Sequence, residues 1–410
     1  MTVQPMKGVR VLEVAQYTFV PSAGAVLADW GAEVIKVEHA ERGDAARGQT
    51  HLGAVHLPPG EFNPLIEHSN RGKRSIGLSL NDPEALQVLL RIAKTCDVFL
   101  TNLLPDSRRK LCIDVEDIRR ANPTIIYVRG SAHGNAGPDR DRGGFDVTSF
   151  WARGGGAAGS TPPNVGAMVG MPGPAYGDSL GGLSMAGGIA AALFARERTG
   201  EPSVIDVSLL SVGAWASGLA VDISLLTGTP WTPEDADGFW SAPTNPLTGY
   251  FRTKDNRWIV LHLNQMWRYW PDFWQRLGRA DILTDARFST AEQVRALAAD
   301  VARIVADEIG RRTLAEWESA LRDMAGPWAA AQDSVAVGQD SSLRANGYIA
   351  AVTDVDGTTR ELVTNPVQFD EQPATLTRAP QFAEHTYDIL KSLDIDDEDI
   401  AKMMSTGAVS

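Results

Sequence analysis

The chain has 410 residues, 43% hydrophobic and 22% charged, proportions ordinary for a soluble globular protein with room for two domains. Its net charge of -13 argues against nucleic acid as a main ligand, since gripping a phosphate backbone takes clustered cations, although a local basic patch can still hold a small phosphorylated molecule. Two cysteines in apolar settings and seven scattered histidines exclude a disulfide framework and a metal-ligand spacing.

No stretch is expected to reach membrane-spanning length, and the opening residues lack the apolar core of a signal peptide. The expectation is a cytoplasmic protein without metal, membrane or nucleic-acid partners.

The first elements predicted are a strand over 9–14, a helix over 21–30 and a strand over 33–38. Strand, helix and strand at this spacing make a βαβ unit, and hence a parallel sheet with a right-handed crossover. A helix over 83–94, a strand over 98–101, a short helix over 115–120 and a strand over 124–128 extend the pattern. The first turn carries no GxGxxG, so a nicotinamide dinucleotide site is not supported. Residues 130–182 are rich in Gly and Pro and too long for a simple connection, which suggests site-forming loops. A helix over 183–198 and a strand over 203–207 return to the sheet, and 208–226 reads as one long apolar helix.

Composition then changes. The runs 250–253 and 258–263 bracket a turn and predict a hairpin. Trp267, Trp270, Phe273 and Trp274 recur at helical spacing, as a core face does. Charged helices follow over 290–325, then β-like runs at 348–354 and 360–368 and a terminal helix over 386–404.

One stretch bears on chemistry. Gly177-Asp178-Ser179-Leu180-Gly181-Gly182 places a carboxylate in a glycine-lined turn ahead of a small-residue helix. Such a carboxylate can act as a nucleophile while nearby backbone N–H groups hold an oxyanion. The alternative is a helix N-cap that does no chemistry.

Around it lie ordered blocks of sequence: Val11-Leu12-Glu13-Val14 with Leu27-Ala28-Asp29-Trp30-Gly31-Ala32, and Asn70-Arg71-Gly72-Lys73-Arg74-Ser75-Ile76. Asp97-Val98 leading to Asn102, Asn122-Pro123, and Arg198-Thr199-Gly200 with Val204-Ile205-Asp206-Val207 follow. Asn245-Pro246, Gly249-Tyr250, Gly326-Pro327 and Glu384-His385-Thr386 complete the set. In this order and spacing the chain resembles the class III CoA-transferase family. That CaiB/BaiF-type group includes formyl-CoA transferase, carnitine-CoA transferase and α-methylacyl-CoA racemase.

The resemblance implies an α/β fold: a Rossmann-like, parallel-sheet large domain built from both chain ends (1–225 and 330–410) with a smaller α+β domain inserted (226–329). It also implies an interlocked homodimer. The activity implied is movement of CoA from an acyl-CoA thioester to a free carboxylic acid, with coenzyme A as substrate and no prosthetic group. Asp178 would attack the thioester, giving an aspartyl anhydride and then an aspartyl-CoA thioester. The alternatives are an α-methylacyl-CoA racemase and a non-catalytic CoA-binding homologue. The racemase branch needs a Gly-His-Asp triplet, where this chain reads Gly144-Phe145-Asp146; phenylalanine cannot exchange a proton. His133 or Asp146 would have to supply the missing base.

For CoA the resemblance points to Lys73, Arg74, Asn102 and Lys110, with Arg108 and Arg109 close alternatives in a run that also fits a solvated helix face. Gln16 and Arg142 join them, Arg142 sharing with Arg153 a possible role toward the acceptor carboxylate. Arg71 belongs to the same basic block but fits a solvent-facing position, and Arg42 stands near where relatives carry a phosphate-binding arginine. The acyl pocket is expected from Tyr17, His133, Phe145, Phe239 and Trp240, the last two replacing a glycine-rich loop of formyl- and oxalate-handling members. An acyl group larger or more hydrophobic than formate follows.

Overall fold

The computed structural model describes residues 4–53, 55–57, 62–233 and 245–410. In chain order the first strands are β1 (Arg10–Val14), β2 (Glu33–Glu38), the small hairpin β3 (His51–Leu52) and β4 (Val55–His56), and β5 (Arg74–Gly77). β6 (Val98–Thr101), β7 (Ile126–Ser131) and β8 (Val204–Ser208) follow. Six of them form one sheet in the order β5-β2-β1-β6-β7-β8, every pairing parallel. Leaving out the hairpin, this is the 3-2-1-4-5-6 order of doubly wound folds.

Successive strand residues point to opposite faces, and both faces are buried. Leu12, Val14, Ile35, Val37, Phe99 and Tyr127 enter one core. Val11, Val34, Val98, Leu100, Ile126 and Val128 enter the other.

Helices α1 (Phe19–Asp29), α2 (Pro64–Asn70), α3 (Pro83–Ala93), α4 (Pro105–Lys110), α5 (Val115–Ala121) and α6 (Gly156–Ser160) precede the long α7 (Tyr176–Thr199). α3 starts where Pro83 follows Asp82, whose carboxylate accepts the N–H groups of Glu84 and Ala85. It covers the first core together with α5 and the C-terminal helices Thr386–Ser392 and Asp397–Ser405, through Val88, Ile92, Ile118, Ile389 and Ile400. The large α/β unit is therefore built from both chain ends.

α1 and α7 cover the other face, and glycine sets their separation. A Cβ on Gly181 would lie 2.4 Å from the Phe19 ring, and one on Gly182 2.5 Å from Ser22 Cβ and 3.0 Å from the Ala23 nitrogen. One turn earlier on α7, a Cβ on Gly177 would lie 2.3 Å from Phe150. These glycines bring helix onto helix.

A second feature of this face is a buried ionic cluster. Glu13 on β1 stands in register with Lys36 on β2. Lys36 Nζ lies 3.2 Å from Glu13 and 2.8 Å from Asp44, and Lys73 Nζ lies 2.7 Å from Glu13, all four side chains out of solvent or nearly so. Lys73 also donates to the Pro21 carbonyl at 2.8 Å and to Asn70 at 3.1 Å. Burial pulls the Lys73 amine down to about 8 despite Glu13. Burial acts the same way on Lys36, but Asp44 and Glu13 outweigh it and push that amine up. Deleting one member of such a group typically costs about 3–5 kcal/mol, because the charge left behind has no water.

The chain forms two compact units: Met1–Gly159 with Val169–Trp231 and Ser341–Ser410, and Ser160–Met168 with Thr232–Asp340. The second therefore starts and ends later than the 226–329 expected, and takes in the short segment 160–168. It holds an antiparallel sheet of β9 (Thr248–Arg252), β10 (Trp258–His262) and β11 (Trp328–Ala330), the first two being the predicted hairpin. Trp270, Phe273 and Trp274 lie in its own core, whereas Trp267 is 39% exposed. The first unit also carries the hairpin of β12 (Ile349–Thr353) and β13 (Thr359–Val363).

Three expectations change. α7 starts at Tyr176 rather than 183, and at 24 residues it is long and apolar enough to cross a membrane by length and composition alone. The helix expected over 208–226 is two, α8 (Leu209–Ala216) and α9 (Gly218–Thr227), bent by 74°. The terminal helix is also two.

The α1–α7 contact is testable. Gly182→Ala should lower stability by about 1–3 kcal/mol, because the new methyl meets main chain that cannot rotate away. Urea unfolding of wild type and variant at one pH checks it; equal midpoints would contradict the packing.

Candidate active site

A cavity of about 770 Å³ opens at the C-terminal ends of β1, β6 and β7. The strand order reverses between β1 and β6, the place where open α/β sheets leave a crevice for ligands. Every lining residue belongs to the first compact unit.

The wall after β1 is the turn Gln16–Tyr17. Tyr17 has a φ of 62°, a left-handed backbone that a bulky residue holds only under constraint. Its N–H donates to Asp44 at 3.1 Å, and Asp44 is itself anchored by Lys36. The Gln16 N–H donates to Asn102 Oδ1 at 3.1 Å, and Asn102 Nδ2 returns a bond to the Gln16 carbonyl at 2.7 Å. Asn102 lines the cavity, but its carboxamide is taken up at both ends on backbone, so it positions the turn. Tyr17 meets Phe145 edge to face at 5.8 Å, and the two rings with Leu104 give the cavity an apolar side.

Another side is cationic. Arg108, Arg129, Arg140, Arg142 and Arg153 all line the cavity. Arg129 forks onto Asp206 at 2.7 and 2.9 Å, the two standing in register on β7 and β8. Arg153 lies 2.6 Å from Asp139, Arg142 3.9 Å from the same carboxylate, and Arg140 3.2 Å from Asp141. Arg108 is buried, donating to Asp114 and to the Leu103 carbonyl. Planar guanidinium forks of this kind match phosphate and carboxylate groups.

Asp178 also lines the cavity, on the first turn of α7. It is not the N-cap: that position is Ala175, held left-handed at φ 57°. Burial, with the neighbouring Asp146 adding repulsion, pushes the Asp178 carboxyl up to about 7. Asp146 is raised by its own burial, offset in part by the N–H groups of Val147 and Gly177. Behind Asp178, the Ser179 hydroxyl lies 3.0 Å from His68 Nε2. Burial, with Arg71 nearby, pulls that imidazole down to about 4, so it is neutral at physiological pH. His133 lines the cavity with Nε2 3.3 Å from Ser149 Oγ and a buried, unpartnered Nδ1.

The sequence matches the model of CoA-transferase family III over residues 6–386. The chain belongs to this family. It is 30% identical to the (R)-2-hydroxy-4-methylpentanoate CoA-transferase of Clostridioides difficile, over 96% of this chain and 97% of that protein. It is 29% identical to the cinnamoyl-CoA:phenyllactate CoA-transferase of Clostridium sporogenes, over 97% and 95%. Among solved structures, Rv3272 of Mycobacterium tuberculosis superposes with a TM-score of 0.77 at 28% identity, covering 95% of this chain and all of that one. The protein is an acyl-CoA:carboxylate CoA-transferase.

Within this family III CoA-transferase, Gln16, Tyr17, Asn102, His133, Arg142, Phe145 and Asp178 share one cavity, as does Arg153. Lys73 does not join them. With no exposed side-chain surface and four acceptors around its amine, it has nothing to offer a ligand. Arg74 begins β5, away from the C-terminal strand ends, and pairs with Glu33 at 3.0 Å. Lys110 is exposed at the end of α4 and outside the lining, as are Arg109 and Arg42. Arg71 is buried against Asp29 rather than facing solvent. Phe239 and Trp240 lie outside the described residues. Cys96 is buried, but Cys112 is exposed. Among the described residues no group of three or more His, Cys, Asp or Glu side chains is arranged to hold a metal ion.

Arg129, Arg140, Asp206 and His68 were not anticipated. Arg129 had a signal: a charge closing the apolar run Ile125–Val128, at the end of a strand where ligands bind.

The raised Asp178 carboxyl carries a stability consequence. Between about pH 4 and 7 the folded chain holds a proton there that the unfolded chain has released, so stability falls as pH rises through that window. Asp178→Asn removes this dependence. The melting temperature of wild type should drop more between pH 5 and 8 than that of the variant; parallel curves would contradict the burial of this charge.

Proposed function

We propose that Asp178 is the nucleophile through which this enzyme moves CoA, and that its acids are hydrophobic. The observation that carries the proposal is a partly buried carboxylate, raised to about 7, lining a cavity that five arginines also line.

Phosphates of CoA seat against Arg129, Arg140, Arg142 and Arg153, which leaves the thioester to run toward Asp178. An Asp178 oxygen bonds to the thioester carbonyl carbon, the C–S bond breaks, and CoA leaves as thiolate with the electron pair on sulfur. The product on the protein is a mixed anhydride. The thiolate then attacks the aspartyl carbonyl, releasing the donor acid and leaving an Asp178–CoA thioester. An incoming carboxylate repeats the sequence in reverse and departs as the new acyl-CoA. Donor and product thioesters are of similar energy, and each step is a displacement at an activated acyl carbon, so covalent catalysis replaces one hard displacement by easier ones. Main-chain N–H groups along the walls at 130–135 and 143–144 are the candidates to meet the tetrahedral oxyanions.

Tyr17, Phe145 and Leu104 support a branched or aromatic acyl group. This accords with relatives named for 2-hydroxy-4-methylpentanoate and for cinnamoyl-CoA and phenyllactate. CoA thioester substrates and two unpaired cysteines favour a cytoplasmic setting. A homodimer is supported by Trp215, Leu219, Leu225 and Leu226, each more than three-quarters exposed on α8 and α9, an apolar patch that a partner would cover.

Incubation with cinnamoyl-CoA or 4-methylpentanoyl-CoA and a panel of free acids in D₂O, followed by mass spectrometry, tests this reading. New thioesters should form, hydroxylamine should trap Asp178 as its hydroxamate, and Asp178→Ala should lose at least about 10³-fold in rate, as loss of a covalent nucleophile does. Retained transfer in the variant overturns it, as does α-deuteration without a new thioester.

A further inference from the structure

Of the five arginines that line the cavity, Arg129 is held differently from the rest. It stands on β7, where alternation along the strand puts it on the same face as Tyr127. Asp206, also in the lining, is its register partner on β8. Its carboxylate accepts from Arg129 Nε at 2.7 Å and from Nη2 at 2.9 Å, a two-point fork between neighbouring strands. A guanidinium carries five N–H donors, so the fork leaves three, along the edge turned away from Asp206. The Arg129 side chain is 14% exposed, whereas Arg140, Arg142 and Arg153 sit in turns and loops at 64%, 74% and 45%.

Stability does not explain the fork well. Asp206 is 38% exposed, and an ion pair this open to water adds little to folding. Nor does charge alone, because a carboxylate in the lining weakens a site meant for anions. What the fork supplies is geometry.

We propose that Asp206 is a positioning residue, which locks the Arg129 guanidinium so that its remaining N–H groups meet a phosphate of CoA. The proposal rests on the reading that these phosphates seat against Arg129. Asp178 comes from α7, which covers the opposite face of the sheet, so the cavity reaches over the strand ends from one face to the other. A CoA thioester spans it only when its anionic end is fixed while its carbonyl lies beside Asp178. A guanidinium free to swing offers the same charge at no fixed distance, and its rotamer freedom is lost on binding; one already clamped by Asp206 avoids that loss.

Charge and geometry predict opposite signs for Asp206→Asn, which removes the charge and breaks the fork. Titration calorimetry with CoA should show affinity weakened about tenfold, the scale of a lost charge-assisted hydrogen bond. Asp206→Glu, which can rebuild a fork, should fall between the variant and wild type. In steady-state transfer, KM for cinnamoyl-CoA should rise with a smaller change in kcat, while KM for cinnamoyl-pantetheine, which has no phosphate, should not move. In an Arg129→Ala background Asp206→Asn should add nothing, because a residue acting through another is not additive with it. Unchanged or tighter CoA binding in Asp206→Asn overturns the proposal, as does an equal KM rise for both thioesters or full additivity with Arg129→Ala. Unchanged CoA affinity in Arg129→Ala overturns the phosphate seating as well. Should Asp206→Asn not fold, Arg129→Lys decides: it keeps the charge without the fork and should weaken CoA to the same extent, and wild-type affinity overturns the proposal.

Discussion

The site depends on how closely α7 can approach α1 and Phe150. Gly181 and Gly182 leave no side chain between the helices, and Gly177 leaves none against the ring. The first turn of α7 is thereby sunk to the depth at which Asp178 loses water yet still borders the cavity. A wider separation would let solvent reach that carboxylate and return it to the ordinary range, where it is a weaker nucleophile. Small residues here act as spacers of width zero, and the surroundings of Asp178 follow from that width.

The Gln16–Tyr17 turn is held by a chain of contacts starting in the sheet. Glu13 fixes Lys36, Lys36 fixes Asp44, Asp44 holds the Tyr17 N–H, and Asn102 clasps Gln16 from β6. Both walls of the cavity are thus set from beneath. The cavity carries charge of both signs as well: guanidinium groups with carboxylate partners line it, and so does Asp178, whose carboxyl is raised. A molecule with an anionic end and an electrophilic carbonyl some distance away is oriented by those groups before any bond changes.

The sheet was legible because buried parallel strands separated by helices write a strong pattern, as 9–14, 33–38 and 98–101 did. β5 was not: Arg74-Ser75-Ile76-Gly77 has too few apolar residues to announce a strand, and only its pairing with β2 makes it one. Asp178 stood out through its glycine neighbours, although those glycines serve helix packing and the residue lies inside the helix. Lys73 shows the limit most clearly. Its basic block suggested phosphate, but the fold turns its amine inward onto Glu13, and no local pattern says which way a lysine will point. The arginine wall draws on β7, α4 and the segment 140–153, and such a gathering exists only after the chain has folded. The break between α8 and α9 was hidden because both halves are apolar.

The Glu13–Lys36 pairing has a further consequence for how the chain finds its fold. Parallel strands of Val, Leu and Ile are nearly interchangeable with neighbouring alignments, because one aliphatic side chain replaces another at little cost. Here a slip of β1 by one residue against β2 would turn Glu13 to the α3 side of the sheet, among Val88, Leu89 and Ile92, and away from Lys36. Such a sheet would bury the Glu13 charge away from both of its lysines. The pair acts as a proofreading mark in the centre of the sheet, rejecting the wrong alignments that the hydrophobic residues alone would tolerate.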